Sequence, residues 1–210
     1  MERGLAQARA AVLAARYDDL VAAADAAAIR WRWATPTSGY GDVEPLRLER
    51  MGCSPGAWLD APTPGDEHEA IGFDERGRLV CVRTYDATGE VWLERFAMWS
   101  SSGVEVACFR PPLTCGDPPL GPALQAVTVV RHADGLPVES ERFLPPTGSW
   151  SHARYVHVDG RLARVEADGD VTEVLYDEDG QLEGIDRLGP DGRHPVWRPA
   201  RAGSAEPLPA

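Results

Sequence analysis

A seven-residue hairpin signature constrains this chain more than any other feature of its sequence. It occurs as FDERGRL at Phe73–Leu79 and as YDEDGQL at Tyr176–Leu182. In each copy an aromatic residue ends one strand, Asp closes a turn through its own side chain, Gly supplies a positive φ, and an apolar residue opens the next strand. The signature therefore predicts an antiparallel sheet built from hairpins, and turn geometry explains its Asp and Gly residues.

Beyond residue 67 the side chains alternate with period two between regularly spaced glycines. Segments with this pattern lie at 79–85, 91–99, 104–109, 125–132, 138–143, 154–158, 162–166, 171–176 and 182–188. Most neighbouring turn glycines are 9 to 14 residues apart, which is the hairpin spacing of a meander. The Pro-containing interruptions at 111–122 and 145–148 are interpreted as loops at a sheet edge.

The beginning of the chain has a helical period instead. An apolar stripe with steps of three and four residues runs from about Leu5 to Trp33, and Pro36 with the glycines after it stops the helix. We also expect a first strand at 46–51. The predicted fold class is α+β, with an N-terminal helix packed on a long twisted antiparallel β-meander of roughly nine to twelve strands.

This pattern divides the chain into four regions. An N-terminal helical region with the first strand occupies 1–51, an irregular connection follows at 52–66, and the β-meander with its hairpins covers 67–198. The tail at 199–210, rich in Pro, Ala, Gly and Ser, is predicted to be disordered. With 210 residues, 43% hydrophobic content and seven Trp, the chain is long enough to bury a core.

The composition excludes several classes of enzyme. All 21 basic residues are Arg, and neither Lys nor Asn occurs. Without Lys there is no Schiff-base lysine, no GxxxxGK[ST] phosphate loop and no kinase strand lysine, and without Asn there is no N-linked glycosylation site. The four Cys form no CxxC pair and have no His at zinc-finger spacing, so we interpret them as reduced, mostly buried thiols. No cofactor and no metal site is predicted.

The charge is acidic and unevenly distributed. The net charge is −12, with eight acids and seven Arg in residues 1–60 but 25 acids and 14 Arg in residues 61–210. Nucleic-acid binding needs a basic surface and is not expected, whereas a basic protein partner would be attracted. The longest uncharged run near the N-terminus, Ala10–Ala15, is too short for a signal peptide or a membrane span. We therefore expect a cytoplasmic protein without membrane association.

Three hairpin units resemble the YDxxGR[LI] unit of YD repeats, found in large bacterial Rhs and polymorphic-toxin proteins and in small proteins associated with them. They are Phe73–Leu79, Tyr85–Val91 (YDATGEV) and Tyr176–Leu182, and the resemblance covers about residues 70–195. It implies a twisted sheet of repeated hairpins and a small acidic cytoplasmic protein that neutralises a toxin. It supplies no catalytic residue.

The acidic stretch Asp159–Asp191 contains eleven acids and three Arg, and several of its Asp residues belong to turns. Four of its acids have no such structural explanation: Glu166, Glu173, Glu183 and Asp186. We expect them to form a binding surface on one sheet face for a basic partner, most concretely a toxin domain masked by an immunity-type protein. The alternative is a solvated sheet face without a partner.

A second hypothesis is a small-molecule-binding or hydrolytic protein with a pocket in a curled β-sheet. Its candidate pocket residues are Trp150, Tyr155 and His157. In an extended strand Tyr155 and His157 share one face and His152 lies on the other, so no acid–base pair forms locally. No GxSxG nucleophile motif occurs either. The non-enzymatic binding protein is therefore the preferred hypothesis, with enzymatic activity left open.

Overall fold

The computed structural model describes residues 4–36, 38–112 and 120–199. Its helices are α1 (Leu5–Leu13), α2 (Tyr17–Ala27) and α3 (Arg47–Arg50). Its strands are β1 (Arg30–Ala34), β2 (Trp58–Leu59), β3 (His68–Phe73), β4 (Leu79–Tyr85), β5 (Val91–Ser100), β6 (Gly103–Arg110), β7 (Ala123–Ala133), β8 (Leu136–Leu144), β9 (Ser149–Val158), β10 (Arg161–Ala167), β11 (Asp170–Tyr176), β12 (Leu182–Gly189) and β13 (Gly192–Trp197). All but the first residue of the tail predicted to be disordered lies outside the described residues.

These strands form one open antiparallel sheet. From β13 at one edge to β3, the spatial order follows the chain order, and β1 and then β2 complete the other edge. The predicted antiparallel meander is confirmed, with the eleven strands β3 to β13 between residues 68 and 197. Within the meander, short hairpins join each strand to its chain neighbour except at β6 and β7, which residues 111–122 separate. The register is therefore mostly a local property of the turns.

The hairpin signature forms the turn that its sequence predicts. The Oδ1 atom of Asp74 accepts hydrogen bonds from the backbone N–H groups two and four residues ahead, at 3.0 and 2.8 Å, and Gly77 has a φ of 74°. Asp86 and Asp177 accept from the backbone four residues ahead in the corresponding hairpins. The recurring Asp and Gly residues therefore stabilise the turns, and functional residues are expected on the faces of the strands.

The helix expected from Leu5 to Trp33 requires correction, because the structure forms two helices and a strand there. The last residues of that stretch read RWRWA in β1, with strict alternation of Arg and Trp, and Trp33 lies opposite Ala70 of β3. Pairing at the sheet edge satisfies the backbone groups of this stretch, and the alternating side chains suit a strand. The expected strand at 46–51 also does not form, since α3 occupies residues 47–50.

The sheet is covered on both faces, by different parts of the chain. On the face that we call the helix side, α1 packs against β7 and β8, and α2 against β4 and β5. Ala6, Leu13 and Leu20 of the helices contact a cluster that includes Phe96 and Phe109 of the sheet. On the opposite face, the segment side, residues 35–36 and 38–57 cross the sheet, and we call them the loop segment.

The loop segment also reveals how strongly the sheet curls. At Ser38 it lies beside β3, because the Ser38 backbone N–H donates a hydrogen bond to Glu69. At Gly52 it lies beside β13, since a Cβ added there would be 3.3 Å from the Val196 carbonyl oxygen. In a flat sheet, β3 and β13 would be about 48 Å apart. The residues between Ser38 and Gly52 include the four of α3 and a turn closed by the hydrogen bond from Asp42 N–H to the Gly39 carbonyl oxygen. They span at most about 35 Å, and the two contacts add about 10 Å at most. The sheet therefore curls around the loop segment.

Candidate functional site

The loop segment lies close against the segment side of the sheet. A Cβ on Gly41 would lie only 2.4 Å from Cγ2 of Val82, so glycine is required for this approach. Further along, Val43 packs against apolar clusters that contain Val82 and Val106, and Leu46 packs against the cluster of Tyr155. These contacts hold an otherwise irregular stretch of chain at a defined distance from β4 to β9.

A buried carboxylate fixes the start of the loop segment. Glu69 of β3, with 3% of its surface exposed, accepts hydrogen bonds at Oε2 from the Ser38 hydroxyl at 2.6 Å and the Ser38 backbone at 3.3 Å. Its other oxygen accepts from Nη2 of Arg95 at 2.6 Å. The Ser38–Glu69–Arg95 network thus ties the loop segment to strands β3 and β5.

Between the loop segment and the sheet lies a cavity of about 270 Å³, which we call the arginine cavity. Its apolar lining comes from Val43 of the loop segment and from Leu93, Val106 and Ala126 of the sheet. Its polar lining includes three guanidinium groups and four carboxylates, from Arg47, Arg95, Arg142, Asp42, Glu44, Glu67 and Glu69. An apolar cavity with a few convergent polar groups is the usual form of a small-molecule site.

Two of the guanidinium groups have donors without a close acceptor. Arg95 uses Nη2 on Glu69 and has a long contact of 3.4 Å from Nη1 to Asp42, while its buried Nε has no hydrogen-bond partner among the described residues. Arg142 makes one long hydrogen bond, from Nη1 to the Thr128 hydroxyl at 3.4 Å, and the same Nη1 lies 3.8 Å from Glu44 Oε2. A guanidinium group has five N–H donors, so most donors of Arg142 remain available.

The strand register places Arg142 on the segment side. It lies directly opposite Thr128 on β7 and Ser151 on β9, and paired residues share a face. Burial, followed by the nearby charge of Arg47, lowers the pKa of Arg142. An arginine in a protein nevertheless stays protonated at neutral pH. The cavity therefore holds a partly desolvated cation that lacks a close counter-ion.

Glu44 does not serve as that counter-ion, because it is engaged elsewhere. Its Oε1 accepts from the Ser140 hydroxyl at 2.9 Å and from the Tyr155 hydroxyl at 3.4 Å, and its Oε2 lies 3.3 Å from Nε of Arg47. Burial, and then the Glu44 carboxylate, raise the pKa of Tyr155 to about 12. Tyr155 therefore stays neutral and fixes the position of Glu44 beside the cavity.

The cavity also contains one thiol. Cys108 of β6 lines it, and burial raises the pKa of this thiol although Arg95 and Arg142 oppose the shift. The thiol is protonated at neutral pH and is a poor nucleophile in that form. No His belongs to the lining within the described residues. The arrangement is suited to binding and orienting a ligand.

Three of the four acids predicted as a binding surface share the helix side of the sheet. Glu173 lies directly opposite both Asp186 and Arg164, and Glu166 is two residues from Arg164 on the same strand. Each of these acids pairs with an arginine: Glu166 with Arg164 at 2.9 Å, Glu173 with Arg193, and Asp186 with Arg198 at 2.5 Å. Asp186 is buried, and Glu183 is exposed. The negative charges of Glu166, Glu173 and Asp186 are thus largely balanced by arginines of the same chain.

The structure does not bring the three residues of the predicted pocket together. Tyr155 and His157 share the segment side, since they lie opposite the buried Val165 and Leu162. Trp150 faces the helix side, where it lies opposite Phe143 and stacks on His152 with 5.9 Å between ring centroids. Tyr155 alone is next to the arginine cavity, through Glu44.

Arg95, Arg142 and Glu69 were not predicted as site residues from the sequence. Glu69 ends the run Asp66-Glu67-His68-Glu69, and the sequence offers no metal-ligand partner for this run at a defined spacing. Arg95 lies 26 residues from Glu69 in the chain, and Arg142 lies 95 residues from Arg47, which lines the same cavity. The available signal was the tripeptide Glu-Arg-Phe, which occurs in each of the two strands, at 94–96 and at 141–143.

Comparison with known proteins gives no family assignment. A scan against protein-family models finds no match for the chain, and a search of curated proteins finds no significant match. Among the described residues, no group of three or more His, Cys, Asp or Glu side chains is arranged to hold a metal ion. The helices in the same part of the chain are too short or too polar to cross a membrane.

Proposed function

We propose that this chain is a small-molecule-binding protein and that its ligand occupies the arginine cavity. The observation that carries this proposal is the combination of an apolar lining with polar groups held in place by buried contacts. The volume of about 270 Å³ is slightly below the range of about 300–1,000 Å³ for typical ligand sites, so the ligand is small.

Binding is favoured over catalysis by the side chains of the cavity. The cavity contains the thiol of Cys108, and the raised pKa of this thiol keeps it protonated, and therefore a poor nucleophile, at neutral pH.

The test is a screen of small anionic, neutral and cationic fragments by ligand-observed NMR, repeated on a variant with a filled cavity. Ala126 lines the cavity and is buried, so Ala126→Leu adds three carbons to it. Fragments that bind in the cavity should lose binding in this variant and keep it in Ala87→Leu, a control in an exposed turn. If Ala126→Leu does not fold, Val106→Leu provides a smaller change at the same wall.

Two results would contradict the proposal. One is a screen in which no fragment binds the folded protein. The other is a set of fragments that bind equally well to the protein with its cavity filled, because those fragments would occupy a different surface.

A second candidate function is the masking of a basic toxin domain by an immunity-type protein. It is favoured by the charge of residues 61–210, with 25 acids and 14 Arg, and by the resemblance of the hairpins to YD repeats. Glu166, Glu173 and Glu183 would contact the partner, and exposed salt bridges such as Glu166–Arg164 contribute little and can exchange partners.

This candidate is tested with a basic toxin domain encoded beside the gene for this chain. Charge reversal of Glu166, Glu173 and Glu183 to Arg should weaken binding of that domain and abolish protection of cells that produce it. Reversal of Glu178, an exposed turn acid, is the control. Unchanged protection by the triple variant would refute the candidate.

A further inference from the structure

We infer that the ligand of the arginine cavity is a small oxyanion, a carboxylate or a phosphate, and that Arg142 is its principal contact. This inference rests on the proposed function and adds the chemical class of the ligand. The guanidinium group of Arg142 has one long hydrogen bond, from Nη1 to the Thr128 hydroxyl at 3.4 Å, and one ion pair, from Nη1 to Glu44 Oε2 at 3.8 Å. A guanidinium group normally forms close paired hydrogen bonds with a carboxylate or phosphate, at about 2.7–2.9 Å.

The carboxylates of the cavity do not fill this role. Glu69 is occupied by Ser38 and Arg95, with both contacts at 2.6 Å. Glu44 is occupied by Ser140 at 2.9 Å and by Arg47 at 3.3 Å. Glu67 is exposed, outside the buried part of the cavity. Asp42, the fourth carboxylate, lies 3.4 Å from Arg95 and 3.9 Å from Arg47. The acidic groups are therefore paired or exposed, while Arg142 keeps donors for a ligand.

Arg95 provides a second cationic group on the same cavity lining. Its Nε is buried and has no hydrogen-bond partner among the described residues. Because Glu69 holds the Nη2 atom of Arg95, this guanidinium group is fixed in position before a ligand binds. A positive charge fixed in this way needs little reorganisation on binding, so Arg95 adds to the attraction of an anion to the cavity.

The apolar lining limits the rest of the ligand. Val43, Leu93, Val106 and Ala126 offer hydrocarbon surface, and Thr128 adds one hydroxyl. A compact molecule with one oxyanion and an apolar body would therefore fit better than a highly charged one. The alternative ligand is a cation, which the four carboxylates in the lining would attract. The experiment below distinguishes a cationic ligand from an oxyanion.

The experiment compares benzoate, benzamide and benzamidinium, which share a ring and differ in charge, together with inorganic phosphate. Binding to the full chain is measured by isothermal titration calorimetry in 0.15 M salt. Benzoate or phosphate is expected to bind, and benzamide and benzamidinium are expected to bind at least about tenfold more weakly. Benzoate binding without phosphate binding identifies a carboxylate site, and the reverse identifies a phosphate site.

Arg142→Met keeps most of the side-chain length and removes the donors. It should weaken oxyanion binding at least about tenfold, which corresponds to about 1.4 kcal/mol at 25 °C. Arg164→Met, which removes an exposed arginine on the helix side, should leave it unchanged. If Arg142→Met does not fold, Arg142→Lys keeps the charge but not the paired donors and should weaken binding in the same direction.

The outcomes separate this inference from the proposed function. If only benzamide or benzamidinium binds, and Ala126→Leu removes that binding, the cavity is a ligand site but the oxyanion inference is wrong. The inference is also wrong if Arg142→Met binds the oxyanion as tightly as the original protein does. If no ligand of any charge binds, both the inference and the proposed function are wrong.

Discussion

Replacement of Glu69 by Gln tests the buried network that positions the loop segment. The substitution keeps the shape of the side chain but removes the charge that faces Arg95 at 2.6 Å, and it replaces one of the two accepting oxygens by an NH₂ group. Loss of one partner of a buried ion pair costs about 3–5 kcal/mol. Arg95 keeps Asp42 at 3.4 Å and is 17% exposed, so the lower end of this range applies.

We therefore expect Glu69→Gln to lower the free energy of unfolding by about 3 kcal/mol. For a chain of this length, that change corresponds to a decrease in Tm of roughly 6–12 °C. Urea unfolding, followed by tryptophan fluorescence, measures the free energy, and differential scanning calorimetry measures the Tm. The m-value should stay constant if the variant alters only the native contacts.

Glu166→Gln is the matched control, because Glu166 pairs with Arg164 at 2.9 Å on the surface. An exposed ion pair contributes about 0–1 kcal/mol, so this variant should remain close to the original protein. Equal effects of Glu69→Gln and Glu166→Gln would refute the reasoning, since they would mean that burial of the network contributes nothing.

Three further predictions follow from the packing and from the pKa shifts. Gly41→Ala places a Cβ 2.4 Å from Val82 Cγ2 and should lower the midpoint of urea unfolding, whereas Gly121→Ala, with open space around it, should not; equal midpoints would contradict the close approach. The Thr88 hydroxyl, followed by the Glu90 backbone, lowers the pKa of Asp86, so its contribution to stability is present above about pH 4 and is lost as the pH falls through the folded-state pKa. Asp86→Asn should therefore reduce the loss of stability between pH 5 and pH 2 in urea unfolding, and an unchanged pH dependence would contradict this. Burial raises the pKa of Tyr155 to about 12, so its stabilising effect is present below about pH 10 and lost as the pH rises through 12. Tyr155→Phe should remove a late step from the absorbance titration at 295 nm and leave the steps near pH 10 in place.

The meander was predictable because its signals are local. Alternation with period two and the Asp–Gly turns act over fewer than ten residues, and hairpin pairing turns them directly into strand order. The alternation of Arg and Trp in β1 is equally local, but the Ala-rich helical pattern before it extended the predicted helix too far. In the structure, residues 30–34 instead pair with β3, with Trp33 opposite Ala70, and form a strand.

The arginine cavity was not predictable in the same way. Its two walls are the loop segment and the middle of the sheet, and Arg142 meets Glu44 across 98 residues of sequence. The loop segment has no periodic pattern, so its path from β3 to β13 and back depends on how the sheet curls. The predicted pocket around Trp150, Tyr155 and His157 is wrong for a simpler reason. All three residues belong to β9, but Trp150 lies on one face of the sheet and the other two lie on the opposite face.

The most direct measurement of the central claim is the ¹⁵N NMR spectrum of the arginine Nε–H groups during a titration with benzoate and with phosphate. Arg142→Met and Arg164→Met identify the two resonances by their disappearance. We predict that the Arg142 signal shifts with saturation as one of the oxyanions binds, while the Arg164 signal stays in place. Equal, non-saturating shifts of both signals would mean that the anions act only through ionic strength, and the arginine cavity would then not be an oxyanion site.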